Sequence, residues 1–280
     1  MRDDGSRDRT VEEIIALADP RITVIRGANV GFGPSFLTLL TLAPPDADMV
    51  MFSDQDDVWL PEKISWAWQH LRKLEGKPGL YGSAQMLVDA ELRPLHPTPP
   101  WPRGPSLANA LTENIITGCT AALNRPAVEL LQRASVPKGV YFHDWWLYLV
   151  VSAFGNIVYD NRPALLYRQH GGNVIGHRAG WLGRQWGVLR FLLGNDWVGI
   201  LKNQVCAFMK HYGDLLPPHT RNWILRYFHT AARGGAPRWR LVFNAWRWRQ
   251  ALIGDVALRL LLTAHMLRIW PPLGRRVELQ

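Results

Sequence analysis

Cysteine is scarce in this sequence of 280 residues, which contains only Cys119 and Cys206. The two lie far apart and neither belongs to a C-x-x-C pair, so the sequence indicates neither a disulfide framework nor a structural zinc site. This cysteine usage is typical of a reducing compartment.

Long apolar runs are missing as well. The most apolar stretch, residues 256–270, is interrupted by Arg259, His265 and Arg268. A membrane-spanning helix needs about 18 or more largely uninterrupted apolar residues. The sequence therefore predicts no spanning segment.

Acidic residues become rare towards the end of the chain. Residues 178–280 carry 16 Lys and Arg against 4 Asp and Glu, whereas residues 1–177 carry 16 against 19. Eight of the 14 tryptophans also lie after residue 178. A net charge of +12 together with so many aromatic rings suits anionic lipid headgroups or nucleic acid.

What the sequence does have is enough apolar material, 48% of its residues, to bury a sizeable core. Strand patterns alternate with helical patterns up to about residue 178, which predicts an α/β domain. From about residue 179 the pattern turns helical, basic and rich in tryptophan. We therefore expect one domain over residues 1–178 and a helical C-terminal region over residues 179–280.

Local patterns also predict the order of the elements. We expect strands at residues 22–25, 49–52, 80–88, 157–159 and 165–168, helices at 10–18, 36–42 and 61–74, and a proline-rich loop at 94–105. The helix that Pro61 opens is expected to carry one apolar face, formed by Ile64, Trp68, Leu71 and Leu74.

Three carboxylates, those of Asp54, Asp56 and Asp57, follow directly after the predicted strand at residues 49–52. Ligands of open α/β sheets bind at the carboxyl ends of strands. Because crowded carboxylates repel one another, the cluster predicts a site for Mg²⁺ or Mn²⁺, ions that leave coordination positions for substrate phosphates. The alternative is a solvated acidic turn that caps the following helix.

Asp144 lies between His143 and the rings of Trp145 and Trp146. Partial desolvation at that place would raise the pKa of the carboxyl group and make it a better general base. The alternative is an N-cap aspartate with core tryptophans behind it.

Two further segments carry polar groups that could contact a nucleotide. Arg168 and His170 precede a Gly-Gly turn, where a neutral imidazole could serve as a third metal ligand or contact a phosphate. Asp3 and Asp4 belong to an Asp-Asp-Gly-Ser loop whose carboxylates could hold a base or a ribose. The alternative is that both segments are ordinary turns.

Taken in order, these segments resemble the family 2 glycosyltransferases, most closely their bacterial rhamnosyltransferase-like branch. The resemblance runs from Asp3 to about Gly176 and is carried by FSDQDDVWLPEKI (residues 52–64), ITGCT (116–120), HDWW (143–146) and YRQHG (167–171). It implies a GT-A fold, which is a Rossmann-like mixed sheet flanked by helices, and a nucleoside-diphosphate sugar as donor.

The resemblance also implies roles on the donor side. Asp3 and Asp4 would contact the nucleobase and the ribose, Asp54 the ribose, and Asp56 the metal and the diphosphate. Arg168 and His170 match positions near the diphosphate, with His170 as the further metal ligand.

On the acceptor side, the resemblance places the general base at Asp144. We expect Gly118, His143 and Trp145 to lie beside it. Members of the family usually begin earlier, with an apolar strand, a turn and a first helix. The resemblance therefore implies that this first strand and helix are missing here, which would leave the sheet edge beside Asp3 unpaired.

The resulting prediction is an inverting, metal-dependent hexosyltransferase. It would move rhamnose or another hexose from a dTDP- or UDP-linked donor to a saccharide or lipid-linked saccharide acceptor in cell-surface polysaccharide synthesis. The basic C-terminal region would hold it at the anionic inner face of the cell membrane, on the cytoplasmic side. The alternative is a non-catalytic basic module that binds membrane or nucleic acid, although we expect no nucleic acid.

Overall fold

The computed structural model describes residues 1–169, 197–228, 242–243 and 247–267. The first part of the chain contains eight strands and six helices among the described residues. They are β1 (Arg2–Asp3), α1 (Thr10–Ala16), β2 (Ile25–Arg26), α2 (Phe32–Thr41), β3 (Met49–Met51), β4 (Val58–Trp59), α3 (Lys63–Leu71), β5 (Gly79–Val88), β6 (Pro94–Pro97), α4 (Leu107–Ala110), β7 (Ala122–Asn124), α5 (Arg125–Gln132), α6 (His143–Phe154) and β8 (Asn156–Arg168). The described C-terminal helices are α7 (Trp197–Tyr212), α8 (Pro218–Phe228) and α9 (Leu252–Met266).

The main sheet is mixed, with strand order β3-β7-β5-β8-β4 and β6 paired to β5. The long strands β5 and β8 run parallel, and the other pairs in this sheet are antiparallel. A separate two-stranded parallel sheet joins β1 to β2. Strand β5 is buried along nearly its whole length, as expected for a strand covered on both faces. The predicted α/β class, with a mixed sheet flanked by helices, is confirmed.

Three local predictions need correction. The expected strands at 157–159 and 165–168 are parts of one continuous strand, β8, and the start of the expected proline-rich loop pairs with β5 as strand β6. In α3 the expected apolar face is wrong, because Ile64 and Trp68 are exposed. The buried stripe of this helix is instead Lys63, Ala67 and Leu71.

Helix α6 lies at the centre of the hydrophobic core. Eight of its 12 residues are buried, and it contacts the sheet as well as α2, α4, α5 and α7. A helix that is apolar on all sides is stable only when it is surrounded by protein. Its first turn, which carries His143 and Asp144, is therefore held firmly by packing on the turns that follow.

The described C-terminal helices share this core. Helices α7 and α9 contribute buried side chains to it, among them Phe208, Tyr212, Leu258 and Leu262. The described tryptophans of this region also face the core, since Trp197 stacks on Trp145 at 5.2 Å between ring centroids and Trp223 packs on the buried Trp248 at 5.6 Å. For these three rings, the expectation that they face a membrane is wrong.

None of the described helices has both the length and the apolar composition to span a bilayer.

Asn124 joins three parts of the fold with one side chain. Its amide oxygen accepts hydrogen bonds from the N–H of Ala127 at 3.1 Å, which caps α5, and from the N–H of Gly79 at 2.8 Å, where β5 begins. Its amide nitrogen donates to the carbonyl of Lys77 at 2.8 Å, and the residue is 7% exposed. Both polar atoms of the side chain thus help to fix the start of α5 to the end of β7 and the start of β5.

We expect Asn124→Ala to lower the free energy of unfolding by about 2–4 kcal/mol, because it removes a helix cap and leaves buried backbone groups without partners. Urea unfolding followed by circular dichroism measures the change. The control is Asn222→Ala on the exposed side of α8, which should change it by less than about 0.5 kcal/mol. Equal effects of the two substitutions would show that Asn124 does not hold this corner together.

Candidate functional site

The acidic loop, residues 53–57, leaves strand β3 and is held in place by Arg168 at the end of β8. The backbone N–H of Arg168 donates to Asp57 Oδ1 at 3.2 Å, and its Nε donates to the carbonyl of Asp56 at 3.0 Å. Its Nη1 donates to the carbonyl of Ala90 at 2.6 Å. Arg168 therefore positions the loop that carries the carboxylates.

Asp54, Asp57 and Cys119 form a cluster in which the potential ligand atoms all lie within 4.8 Å of one another. Burial raises the pKa of Asp54 to about 6, and the neighbouring charges of Asp57 and Asp56 add to the shift. Burial likewise raises the pKa of Asp57, and raises the pKa of the Cys119 thiol well above its ordinary value. The cluster thus has a strong electrostatic need for positive charge.

Lys63 brings a buried ammonium group to this cluster. The side chain is 1% exposed, and its Nζ donates to the carbonyl of Cys119 at 2.6 Å while lying 4.1 Å above the ring of Trp59. Burial lowers the pKa of Lys63 to about 8, against the opposite effect of the nearby acidic groups. Lys63 therefore links helix α3 to the turn at Gly118–Thr120 and neutralises part of the carboxylate charge.

Asp144 begins the first turn of α6 and faces the same turn. Its Oδ2 accepts from the N–H of Gly118 at 3.1 Å, and its Oδ1 accepts from the N–H of Trp145 at 2.7 Å. Burial raises the pKa of Asp144 to about 6, and the charge of Asp54 raises it further. Asp144 therefore contacts the Gly118 turn, and the next residue of this turn, Cys119, belongs to the acidic cluster.

His143 is buried beside Asp144 among aromatic rings. Its ring stacks on Phe36 with centroids 4.3 Å apart, and neither ring nitrogen has a hydrogen-bond partner among the described residues. Burial lowers the pKa of His143 to about 3, so the imidazole is neutral at physiological pH. A Cβ added to Gly118 would lie 2.5 Å from His143 Nε2, which shows how closely the two residues pack.

Trp145 is 1% exposed and its indole N–H donates to the carbonyl of Ala110 at 2.6 Å. Its ring therefore supports the first turn of α6 from inside the core. Of the expected acceptor-side residues, Gly118 and His143 contact or adjoin the carboxylate of Asp144, and Trp145 contacts it through the backbone.

The nucleotide-side aspartates near the start of the chain are internally bonded. Asp3 accepts from the backbone and hydroxyl of Ser6, and this hydroxyl bond is the main cause of its lowered pKa. Asp4 accepts from the N–H groups of Val30 and Gly31 at 3.0 and 2.8 Å and pairs with Arg2. The two carboxylates thus hold the backbone at Ser6 and at Val30 and Gly31. The contact of Asp3 and Asp4 with a nucleotide stays a prediction.

The structure adds two residues that sequence reasoning did not single out as functional, namely Lys63 and Cys119. Lys63 and Cys119 both lie within the stretches that carry the family resemblance, but nothing local shows that they meet. The predicted metal ligand Asp56 belongs to the acidic loop, and the other predicted ligand, His170, lies outside the described residues.

Comparison with known proteins places the acidic loop and the Gly118 turn inside a known family. Residues 1–129 match the sequence profile described as glycosyl transferase family 2. These residues belong to glycosyl transferase family 2. Asp144 follows shortly after the matched region, on the helix that packs against it.

Two curated proteins are similar to parts of the chain. The succinoglycan biosynthesis protein ExoW of Rhizobium meliloti (strain 1021) is 40% identical over 76 residues, which is 26% of this chain and 24% of that protein. The dTDP-rhamnosyl transferase RfbG of Shigella flexneri is 26% identical over 197 residues, which is 63% of this chain and 64% of that protein. The chain therefore matches less than two thirds of the length of either relative.

Gly118→Ala should lower the free energy of unfolding by about 1–3 kcal/mol, because the new methyl group meets a buried imidazole that has no room to move. Chemical unfolding measures the change. Gly213→Ala is the matched control, since that glycine is also buried but its added Cβ would lie 3.4 Å from the nearest atom, the terminal methyl of Met209. If both substitutions cost the same, the close packing of Gly118 on His143 does not constrain the site.

Proposed function

We propose that the protein is an inverting, metal-dependent glycosyltransferase that uses a nucleoside-diphosphate sugar as donor and Asp144 as general base. The observation that supports this most strongly is the turn at Gly118–Thr120. It contacts Asp144 through the N–H of Gly118 and the Asp54–Asp57 cluster through Cys119. One short turn thus joins a base to a carboxylate cluster that suits a diphosphate-bound cation.

The residues present fit a divalent cation. Asp57 Oδ2 is buried without a hydrogen-bond partner among the described residues, and burial together with the charges of Asp57 and Asp56 raises the pKa of Asp54 to about 6. Both features favour a bound cation. Asp54 and Asp57 would hold Mg²⁺ or Mn²⁺ through their carboxylate oxygens, with Asp56 beside them. The thiol of Cys119 adjoins the site, but sulfur is not a ligand that these hard ions prefer. When bound, the ion would stabilise the negative charge that develops on the leaving diphosphate.

Asp144 provides the proton acceptor. As the acceptor hydroxyl oxygen forms a bond to the anomeric carbon, the bond from that carbon to the diphosphate oxygen breaks, and the hydroxyl proton passes to the carboxylate. A pKa raised to about 6 brings the base close to the operating pH while leaving it mostly ionised at neutral pH. Direct displacement inverts the configuration at the anomeric carbon.

The names of the relatives indicate the substrate class. One is named for dTDP-rhamnosyl transfer and the other for succinoglycan biosynthesis. A dTDP- or UDP-linked rhamnose or other hexose is the proposed donor, and a saccharide or lipid-linked saccharide of the cell surface is the proposed acceptor. Asp3, Asp4 and Arg168 are assigned to the nucleotide side, and His170 to the metal.

Helix α9 gives the proposed location at the inner face of the cell membrane a specific surface. Leu252, Ile253, Val256 and Leu260 are between 45% and 65% exposed and recur at helical spacing on one face. The region that contains this helix, residues 178–280, carries a net charge of +12. An exposed apolar stripe within a basic region suits binding to an anionic lipid surface, with the helix lying in the interface.

We expect Asp144→Asn to abolish turnover while leaving donor binding intact, because only the proton acceptor is lost. Turnover is followed as release of dTDP or UDP from the sugar nucleotide in the presence of Mn²⁺, with water or a saccharide as acceptor. Binding of the nucleoside diphosphate is measured by calorimetry. Asp214→Asn, at a side chain that is 91% exposed, is the matched control and should behave like the wild type.

The wild-type rate should fall about tenfold per pH unit below pH 6 and level off above it, because the base acts only when it is deprotonated. His143 should contribute no titration near neutral pH, since its pKa lies far below. Near-normal turnover in Asp144→Asn at pH 7.5 would rule out Asp144 as the base.

Leu260→Glu should weaken binding to vesicles of phosphatidylglycerol and phosphatidylcholine by roughly tenfold, because it places a charge in the proposed lipid-facing stripe. Flotation at low and high salt measures the binding, which should also fall as salt rises. The control is Leu95→Glu on β6, another exposed leucine far from this helix in sequence. If vesicle binding changes neither with salt, nor with lipid charge, nor on substitution of Leu260, the proposed location is contradicted.

A further inference from the structure

The C-terminal clasp, residues 247–250, binds the family-matched part of the chain through Glu113. The carboxylate of Glu113 accepts from the N–H of Gln250 at 2.7 Å, from Arg249 Nη2 at 3.3 Å and from Asn109 Nδ2 at 2.9 Å. The side chains of Glu113 and Arg249 are only 13% and 17% exposed. A shielded ion pair with this many hydrogen bonds is costly to break, because either charge would be left without its partner.

The clasp is itself held by the C-terminal helices. Trp248 is 1% exposed and packs against the rings of Trp223 and Tyr227, with centroids 5.6 and 5.2 Å away. The backbone N–H groups of Trp248 and Arg249 donate to the buried carboxylate of Asp255 at 2.8 and 3.2 Å. The clasp therefore presents a fixed edge to Glu113.

Asn109 carries this contact across to helix α6. Its Nδ2 donates to the carbonyl of Trp248 at 3.2 Å, and its Oδ1 accepts from the hydroxyl of Tyr148 at 3.0 Å. One residue further along, the carbonyl of Ala110 accepts from the indole of Trp145 at 2.6 Å. Both ring partners belong to α6, one of them directly after Asp144.

The segment that follows Glu113 leads to the base. The amide of Asn114 exchanges hydrogen bonds with the backbone of Ile116, at 2.8 Å to its carbonyl and 3.1 Å from its N–H. Two residues later, the N–H of Gly118 donates to the carboxylate of Asp144 at 3.1 Å. The segment between Glu113 and Gly118 thus lies between the clasp and the base.

We propose that residues 247–250 are a positioning element of the reaction, which holds Glu113 and Asn109 so that the segment 113–118 and helix α6 orient the carboxylate of Asp144. This inference rests on the proposed role of Asp144. Arg249 lies 136 residues after Glu113 in the sequence. The inference therefore gives a distant segment of the chain a role in positioning the base. Glu113 and Arg249 act through other residues and need not touch the substrate.

The first test is Glu113→Gln in the full chain. Glutamine keeps the size of the side chain, but it has one acceptor oxygen where the carboxylate has two, so an NH₂ group must face either Arg249 or the donors from Gln250 and Asn109. We expect the rate of dTDP-L-rhamnose hydrolysis at saturating donor and Mn²⁺ to fall about ten- to a hundredfold, with KM for the donor changed by less than about twofold. Calorimetric binding of dTDP with Mn²⁺ should also stay within about twofold.

Substitutions of Arg249 separate positioning from simple loss of folding. Arg249→Met should reduce the rate like Glu113→Gln, whereas Arg249→Lys, which keeps the charge and one donor, should restore most of it. Arg221→Met removes an exposed ion pair to Asp214 in the same half of the chain and should leave the rate unchanged. All rates are compared well below the melting temperature of each variant. If the loss of rate only matches the fraction of unfolded protein, the inference is contradicted.

Asp144→Asn distinguishes this inference from the proposed function. Wild-type turnover in Asp144→Asn would overturn the proposed base and the inference with it. Loss of turnover in Asp144→Asn, combined with wild-type rates in Glu113→Gln and Arg249→Met, would overturn the clasp alone.

Discussion

Repulsion between carboxylates that the fold brings together in a partly buried site is the constraint on which the rest of the structure depends. Burial and mutual charge raise the pKa of both Asp54 and Asp144 to about 6. The fold offsets part of this cost with the buried ammonium of Lys63 and with backbone N–H groups that donate directly to the carboxylates, such as those of Gly118 and Arg168. The negative charge that is left favours the divalent cation that we propose for this site.

Helix α6 holds part of this site in a fixed position. Asp144 stands at the start of a helix that is apolar on nearly every side, so its position follows from the packing of the whole core. Interiors packed this densely allow little displacement, which is what the proposed general base would need to stay aligned with a substrate. The tryptophans of the described C-terminal region pack in the same core. Their aromatic rings therefore have a structural role, whereas composition alone associated them with lipid binding.

Much of the donor-side architecture could be predicted from local sequence. A short apolar run followed by an acidic cluster indicates a buried strand that delivers carboxylates to the edge of a sheet, and β3 with the acidic loop has this form. Helix α3 departs from its local pattern. Periodicity predicted Ile64 and Trp68 on its apolar face, yet the helix buries Lys63 instead, where the ammonium donates to the carbonyl of Cys119 beside the acidic loop.

The sequence by itself determined the fold class, the family and the positions of the charged motifs, because each of these depends on residues close together along the chain. The tertiary structure alone decided which motifs meet. Cys119 joins Asp54 and Asp57 only because β5, β7 and β8 set the Gly118 turn beside the acidic loop. Glu113 meets Arg249 across 136 residues for the same reason: the partner of a buried charge is chosen by packing, which no local pattern encodes.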